Sequence, residues 1–432
     1  MSNRETRLRF GPMKFYVSRG LAAAMLHLLL TETSHSELAY TTDIAPIITK
    51  HCAVCHYRDG SGPFPLLRYE DVLARAAMIG EVVRTRRMPP WHADPAVGRF
   101  KNERRLNDDE VNRITEWIAS GAPRGDTQGF VQLPSFPSDW RIGRPDKIYT
   151  MPEDVSLPAT GRIPYKQYEI PSGFSQDTWI DAIEIRPSTM MAVQHLIVKI
   201  KTDAPLHRRH GDFVGSGHPL LCSYTPGSEP VRFTDGKAIL VPKHAKFLVQ
   251  IHYTTAGKPQ KDRTEIGVTI AEKQPRESVE WAVAEVYDFT IPPQVSDFRI
   301  ATERSVPQDA LVYALNAHMH YRGKSFEFIA HYPSGRNERL LRIPQYDFNW
   351  QTDYILERPV FLPKGTRIEL IGHYDNSATN PRNPDPNATV RHGEDVWDEE
   401  FAGYMRVTWI ADRTLVQPLL IANEAELREP PE

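Results

Sequence analysis

Two histidines separated by one residue stand in the stretch AHMHYRGK, at His318 and His320. The flanking stretches LVYAL and SFEFIAHY are rich in aromatic and β-branched residues, which is typical of a β-strand. Side chains two positions apart on a strand point to the same face, so these two imidazoles can supply ligands to one metal ion. The alternative is a pair of surface histidines on a polar face, and the spacing alone does not decide between the two.

A second motif with chemical meaning is HCAVCHYRDG, in which Cys52, Cys55 and His56 form a Cys-x-x-Cys-His pattern. In this pattern the two thiols attach covalently to haem and the histidine binds its iron. A zinc site would need a second pair of ligands, which this stretch lacks, and a thioredoxin-like site does not need the histidine. The motif therefore predicts a covalently bound haem c.

The second axial ligand of the haem iron should be a thioether or another imidazole further along the chain. The stretch RMPPWHADP contains both, and its tandem prolines favour an extended loop. We expect Met88 to be this ligand. His92 and Met78 are the alternatives, and the other interpretation of Met88 is a packing role alone.

Helical patterns surround the haem motif. Residues 69–86 place apolar side chains on one stripe, and a second pattern begins at the capping residue Asn107 and stops at Gly121. Residues 40–126 resemble a c-type cytochrome domain, and this resemblance implies electron transfer.

The composition sets outer limits on what the chain can be. It has 432 residues, of which 40% are hydrophobic and 25% charged, as expected for a soluble globular protein of two or three domains. Its formal net charge of -3, without a basic cluster beside aromatic residues, argues against a nucleic-acid partner. Three cysteines are too few for a disulfide scaffold.

The N-terminal stretch carries an export pattern. Lys14 and Arg19 precede an apolar run from Leu21 to Leu30, which is too short to span a bilayer but suits the apolar core of a signal peptide. We therefore expect residues 1–39 to be a signal peptide, the protein to be periplasmic or secreted, and no stable membrane anchor to remain.

The remainder of the chain reads as β structure. Residues 127–154 are proline-rich and aperiodic, which predicts a linker, and short β-forming runs separated by Pro, Gly and Asn turns follow. The stretches LVPKHAKFLVQIHY and FLPKGTRIELIGHY match at one constant offset, so two related β domains are expected over 155–278 and 279–425; coincidence is the alternative. The predicted fold class is multidomain: a small all-α cytochrome c domain at 40–126, then two all-β domains of antiparallel sandwich or jelly-roll type.

Four stretches together resemble one family, the copper type II ascorbate-dependent monooxygenases, which include the peptidylglycine and dopamine hydroxylases. They are EIRPSTMMAVQH, LVQIHYTTAGK, AHMHYRGK and YDNSATNPRNPDP followed by GEDVWDEEF, and the resemblance covers roughly residues 180–409. Bacterial members also carry an N-terminal c-type cytochrome. The resemblance implies two copper sites, one per β domain, that face each other across a solvent cleft. One passes electrons, and the other binds dioxygen and hydroxylates a substrate C–H bond.

The ligand positions carry over incompletely. His195 matches the second histidine of a His-His pair and His252 a later histidine of the same electron-transfer site, but Gln194 stands at the first position. His318 and His320 match the His-x-His pair of the oxygen-binding site.

The third ligand of the oxygen-binding site is the main departure. Glu400 stands where the family has a methionine, and Met405 and His373 are alternative third ligands. A thioether favours Cu(I), whereas two imidazoles with one carboxylate are the ligand set of non-haem iron oxygenases. For the first site, three further histidines remain as candidates, namely His210, His218 and His244.

The expected function is therefore an exported haem- and copper-containing monooxygenase. It would hydroxylate a small molecule or peptide, with ascorbate or a redox protein as the electron donor and the cytochrome domain delivering the electrons. Two alternatives stay open. One is a non-catalytic electron-transfer or metal-binding haem protein with degenerate copper domains, and the other is an iron oxygenase on the same frame.

Overall fold

The computed structural model describes residues 38–58, 60–126, 140–203, 213 and 218–411. The predicted signal peptide lies outside these residues except for its last two positions, as does the first part of the predicted linker. No helix within the described ranges is long and apolar enough to cross a membrane.

Short helices form the N-terminal part of the described chain. A π-helical turn at Tyr40–Ile44 leads into the helices α1 (Ala45–His51), α2 (Tyr69–Leu73), α3 (Ala76–Arg84) and α4 (Asp108–Ala119). The helical pattern at residues 69–86 is thus split into α2 and α3 by a turn at residues 74–75.

Helix α4 shows how the sequence sets these elements. The Asn107 side chain accepts a hydrogen bond from the Glu110 amide at 2.8 Å, and the Glu110 carboxylate accepts one from the Asn107 amide at 2.9 Å. This reciprocal cap satisfies two amides that the first turn would otherwise leave unpaired. The buried face of α4 carries Val111, Ile114 and Trp117, which pack against α1, α2 and α3 in one small apolar core.

The strands of the first β unit, defined here as residues 147–278, are β1 (Lys147–Thr150), β2 (Val155–Leu157), β3 (Lys166–Pro171), β4 (Thr178–Arg186), β5 (Val193–Lys201), β6 (Leu220–Tyr224), β7 (Val231–Arg232), β8 (Lys237–Val241), β9 (Lys246–Tyr253), β10 (Gln260–Asp262), β11 (Glu265–Ile270) and β12 (Glu277–Ser278). Its two larger sheets have the orders β1-β11-β4-β8-β12, with β7 beside β4, and β3-β9-β5-β6. Both sheets contribute to one apolar core that includes Ile180, Leu196 and Phe247.

The strands of the second β unit, defined here as residues 279–411, are β13 (Glu280–Val286), β14 (Thr290–Ile291), β15 (Phe298–Ser305), β16 (Ala310–His318), β17 (Gly323–His331), β18 (Asn337–Ile343), β19 (Tyr354–Leu362), β20 (Arg367–Tyr374), β21 (Val390–Arg391) and β22 (Phe401–Trp409). Its four-stranded sheets have the orders β13-β22-β16-β19 and β15-β20-β17-β18. Their shared core includes Leu315, Phe328 and Met405.

The predicted fold class is wrong. Within the described residues the structure is mostly β, 39% strand against 11% helix, and the four short α-helices there do not make a separate all-α cytochrome domain. The segment between α3 and α4 leaves the helices and inserts Trp91, Ala93 and Phe100 into the core of the second β unit. Phe100 forms a β-bridge with Leu356, and the Trp91 ring lies 5.0 Å from the Tyr354 ring. The helices are therefore joined to a β core by buried aromatic side chains.

The two β units meet through the sheet faces that point away from their cores. On β5, Leu196 and Val198 face the first core, whereas Ile197 joins a separate cluster with Trp281 and Tyr404 from the second unit. This division follows from the period-two alternation of side chains along a strand. The interface between the units is consequently the surface from which the histidines project.

Candidate metal centre

His195 and His252 are direct neighbours on β5 and β9 of the first β unit. They occupy one position of the antiparallel register, and their rings stack with centres 4.1 Å apart at an interplanar angle of 15°. Side chains directly opposite each other in a sheet lie on the same face, so both imidazoles project into the interface. Both ring nitrogens of His195 are buried and have no hydrogen-bond partner within the described residues.

His318, His320 and Glu400 form the second half of the cluster. The Nε2 atom of His318 lies 2.7 Å from Oε2 of Glu400, and that of His320 lies 3.8 Å from the same oxygen. His318 ends β16 and is paired with Ala402 on β22. Extending this antiparallel register by two residues sets His320 opposite Glu400 on the same face. The structure thus brings together three of the predicted site residues through one strand pair.

The far nitrogens of these two imidazoles are held from behind. The Nδ1 atom of His318 donates to the side-chain oxygen of Gln351, whose amide in turn donates to the Phe348 carbonyl at 3.0 Å. The Nδ1 atom of His320 donates to the Asp398 carbonyl at 3.3 Å. Such bonds orient a metal-binding imidazole and leave Nε2 for the ion.

Glu399 fixes the chain that carries the histidines. It is fully buried, and its carboxyl oxygens accept hydrogen bonds from the backbone amides of His320 at 2.8 Å and Arg322 at 2.7 Å. The Arg322 guanidinium lies 3.9 Å away and is itself anchored on Asn376 and the Trp397 carbonyl. This buried network holds the loop between β16 and β17 in place beside β22.

The histidines of the two β units form one group. The ring centres of His195 and His318 are 5.7 Å apart, those of His318 and His320 5.2 Å, and those of His252 and His320 6.5 Å. Two imidazoles bound to one ion at about 2.1 Å have ring centres about 4.5–6.4 Å apart. The pairs His195–His318 and His318–His320 fit that range. His252 stacks on His195, and its ring centre lies 6.5 Å from that of His320, just beyond the range. The resemblance implied two sites across a solvent cleft, whereas these four imidazoles lie in a single buried cluster.

The protonation of the cluster suits metal binding for most of its members. Burial lowers the pKa of His252 to about 3 and of His320 to about 4, and it holds the pKa of His195 well below its usual value. Neutral imidazoles are the form that binds metal ions. For His318, burial opposes the charge, but the hydrogen bonds with Glu400 and Gln351 raise the pKa. The Glu400 pKa is lowered because the His318 imidazole outweighs the effect of burial.

The residues fit a transition-metal ion. Three ligand atoms from His318, His320 and Glu400 lie within 4.8 Å of one another. His195, whose two buried ring nitrogens have no partner within the described residues, has its ring centre 5.7 Å from that of His318, and a buried imidazole nitrogen without a partner is a candidate ligand for an ion. Imidazole and carboxylate together suit copper, iron or zinc.

The other ligands considered from the sequence lie elsewhere. Met405 points into the core of the second β unit, with 2% of its surface exposed. His373 is on β20 of the opposite sheet, where its ring contacts Asp297 at 3.1 Å. The Gln194 amide donates to Asn349 of the second β unit at 3.0 Å, which makes it a contact between the units.

Two of the three alternative histidines of the first β unit, His218 and His244, lie away from the cluster. His244 is exposed in the turn before β9, at the opposite end of that strand from His252. His218 precedes β6 and lies close to the charged groups of Lys201 and Lys199. His210 lies outside the described residues.

The residues of the Cys-x-x-Cys-His motif lie at the end of α1 and in the turn that follows it. The Nδ1 atom of His56 donates to the Phe64 carbonyl at 2.9 Å, which leaves Nε2 for an iron ion. Gly62 lies so close that a Cβ there would come within 2.6 Å of the His56 ring. Cys52 caps the end of α1, Cys55 lies in the turn after it, and neither forms a disulfide.

The candidates for the second haem ligand separate into two groups. Met88 and Met78 expose their side chains, at 36% and 50%. His92 instead faces the second β unit, near Asp347 and Arg382, with its Nε2 atom buried and without a hydrogen-bond partner within the described residues.

A small cavity of about 20 Å³ lies beside the cluster between the two β units. Its lining includes His195 and His318 together with the polar groups Ser223, Asn316 and Gln351. A cavity of this volume has room for about one water molecule.

Sequence reasoning missed several residues around the centre. Glu285 and His392 lie next to Glu400, while Gln351 and Glu399 hold the two histidines of the second unit. None of these four stands in a motif with ligand spacing. The one signal in the sequence was the adjacent pair of acids. Glu399 has a counterpart in the family motif, whereas Glu400 stands where the family has a methionine.

Comparisons with known proteins add little to this picture. No protein-family model matches the chain, and no curated protein matches it significantly. The major capsid protein P2 of bacteriophage PM2 is similar at 13% identity and a TM-score of 0.26, over 60% of this chain and 99% of that one. The VP54 protein of PBCV-1, fitted into a reconstruction of the virophage Sputnik, is similar at 9% identity and a TM-score of 0.21, over 64% of this chain and 97% of that one. VP2 of infectious bursal disease virus is similar at 9% identity and a TM-score of 0.17, over 63% of this chain and 83% of that one. At such TM-scores these likenesses indicate no function for this chain.

Proposed function

We propose that this protein is a haem-containing oxidoreductase that hydroxylates a C–H bond of a small substrate at a copper centre. His195, His318 and His320 would hold the ion, with Glu400 as a further ligand and His252 stacked against His195. The observation that carries the proposal is the convergence of imidazoles from both β units on one buried point, with both nitrogens of His195 unpartnered. Bound copper would supply dioxygen activation at this place.

Electrons would come from a haem attached to Cys52 and Cys55. The helical segment touches the first β unit near the strand that carries His195. The Tyr57 hydroxyl lies 3.4 Å from the Met190 sulfur, and a Cβ on Gly227 would come within 2.7 Å of the Cys55 sulfur. Met190 lies five positions before His195, and this stretch of chain spans at most about 18 Å. This contact supports electron delivery within one chain.

The residues of the chain have separable roles in this proposal. Gln351 and the Asp398 carbonyl orient the imidazoles of His318 and His320 and keep Nε2 of each toward the centre. The Glu400 carboxylate, at 2.7 Å from His318, can hold a proton or bind the ion. The interface excludes bulk water, since His195, His318 and His320 are 3%, 4% and 1% exposed.

The position of Glu400 points to iron as a second candidate metal. Glu400 is close enough to His318 and His320 to complete a set of two imidazoles and one carboxylate, which favours iron. Elemental analysis of the haem-loaded chain, beyond its haem iron, separates the two metals.

The experiment that tests the function uses dioxygen, because it needs no knowledge of the substrate. The haem of the metal-loaded full chain is reduced, mixed with dioxygen, and followed by its absorbance as it reoxidises. Fast reoxidation should require the metal ion and should be lost in His318→Gln. The control is His373→Gln, which changes a histidine of the same β unit away from the cluster. An equal rate in the metal-free protein would refute the proposed function.

A further inference from the structure

A second group of ligands lies on the other side of Glu400. Glu285, His392 and Glu400 each offer an atom within 4.8 Å of the other two. None of the three is exposed: their side chains retain 8%, 21% and 16% of their accessible surface. Glu400 thus belongs to two ligand groups at once, one with His318 and His320 and one with Glu285 and His392.

The sheet explains why these residues meet. Ala402 on β22 is paired with Glu285 on β13 and with His318 on β16, so one row crosses three strands on the interface side. Glu400 precedes Ala402 by two residues and therefore projects from the same face. Glu285 and His318 stand on either side of the strand that Glu400 leads into, and Glu400 can reach both.

His392 is positioned by backbone contacts. It follows β21 and forms a β-bridge with Glu399, the residue before Glu400. Its Nε2 atom is buried, lies 3.7 Å from Oε1 of Glu285, and makes no hydrogen bond within the described residues. The Tyr287 ring packs on the imidazole at 4.9 Å, and its hydroxyl donates to the other Glu285 oxygen at 2.5 Å. The imidazole is held in place without a partner for Nε2.

The charges of this group favour a cation. Two carboxylates lie close together in a buried place. Within the described residues Glu285 pairs with His392, and Glu400 pairs with His318 and His320 and is also influenced by the charge of Lys199. Carboxylates this close repel each other and are costly to bury unless a positive charge lies between them. A divalent ion bound to both oxygens and to Nε2 of His392 satisfies all three groups.

We propose that Glu285, His392 and Glu400 bind a second divalent metal ion and that Glu400 bridges it to the ion at His318 and His320. Only the bridging role rests on the proposed function; the ligand group of Glu285 and His392 stands on its own contacts. Two carboxylates and one imidazole are a harder ligand set than the first, and they favour manganese, iron or zinc.

The test uses Mn²⁺ as the probe. The haem-loaded full chain is stripped with a chelator and titrated with Mn²⁺, and bound metal is counted while spin-resonance spectra are recorded. The wild type should bind two equivalents with the exchange-coupled signal of a bridged pair. His392→Gln should lose one equivalent and the coupling. Glu285→Gln is the second variant, His331→Gln is the control, and haem absorbance with circular dichroism establishes that each variant is folded.

The outcomes separate this proposal from the proposed function. An unchanged equivalence and spectrum in folded His392→Gln and Glu285→Gln would overturn the second site alone. Loss of metal in those variants, with none lost in His318→Gln, would support the second site and overturn the first. A wild-type chain that binds no Mn²⁺ would overturn this proposal.

Discussion

Replacing Glu399 by alanine tests the support of the centre rather than its ligands. The carboxyl group has no exposed surface and accepts one hydrogen bond from each of the backbone amides of His320 and Arg322. Burial raises the pKa of Glu399 to about 8, against the backbone amides and Arg322, which lower it. We therefore base the expected loss of stability on the two backbone amides, because they need an acceptor whatever the charge of the carboxyl group.

The cost follows from what the substitution leaves unpaired. Each buried amide without an acceptor costs about 1–3 kcal/mol, so Glu399→Ala should destabilise the protein by about 2–6 kcal/mol. At roughly 2–4 °C for each kcal/mol, the unfolding transition of the second β unit should fall by about 10 °C. Glu399→Gln keeps one acceptor oxygen and should lose about half as much. Because His320 shifts with its amide, metal affinity should also fall by about 10–100-fold.

Differential scanning calorimetry of the haem-loaded chain measures the transition, and metal titration measures the affinity. Glu357→Ala is the matched control, since Glu357 is an exposed acid of the same β unit. Exposed substitutions of this kind change stability by about 0.5 kcal/mol or less. A Glu399→Ala protein that unfolds within 2 °C of the control, with unchanged metal affinity, would refute this account of the network.

Three further predictions follow from particular contacts. Gln351→Leu removes the acceptor of the His318 Nδ1 proton, so metal affinity measured by titration should fall about 10–100-fold while the haem spectrum stays unchanged; equal affinity would contradict the orienting role. Trp91→Ala should cost about 3–5 kcal/mol in the transition of the second β unit measured by calorimetry, because the ring lies in that core; a change confined to the helical part would contradict it. Replacing both Cys52 and Cys55 by alanine should abolish haem that survives denaturing electrophoresis, whereas either single change should leave one thioether bond; covalent haem in the double variant would contradict the motif's role.

Part of the centre could be predicted because period-two alternation is a local property. The spacing of His318 and His320 sets both on one face of a strand. The two matching stretches that contain His252 and His373 indicated that each of these histidines lies near the end of a strand. The same match made His373 a candidate ligand, which is wrong, because sequence similarity does not say which of two sheets faces the interface. His373 lies on the sheet away from it.

The residues that could not be predicted depend on contacts between distant strands. Glu285 joins Glu400 only because β13 pairs with β22, and more than a hundred residues separate the two acids along the chain. The helical domain was predicted wrongly for a similar reason. Trp91 and Phe100 have the apolar character of any core residue, and nothing local indicates that they enter the core of the second β unit.

The most direct test of the central claim is the copper content of three variants of the haem-loaded chain: His195→Gln, His318→Gln and the double variant. The claim is that imidazoles from both β units bind the same ion. Each single variant should therefore lose the same equivalent of copper, and the double variant should lose no more than either. Two single variants that each lose a different equivalent, with a double variant that loses both, would mean two separate sites and would contradict the account.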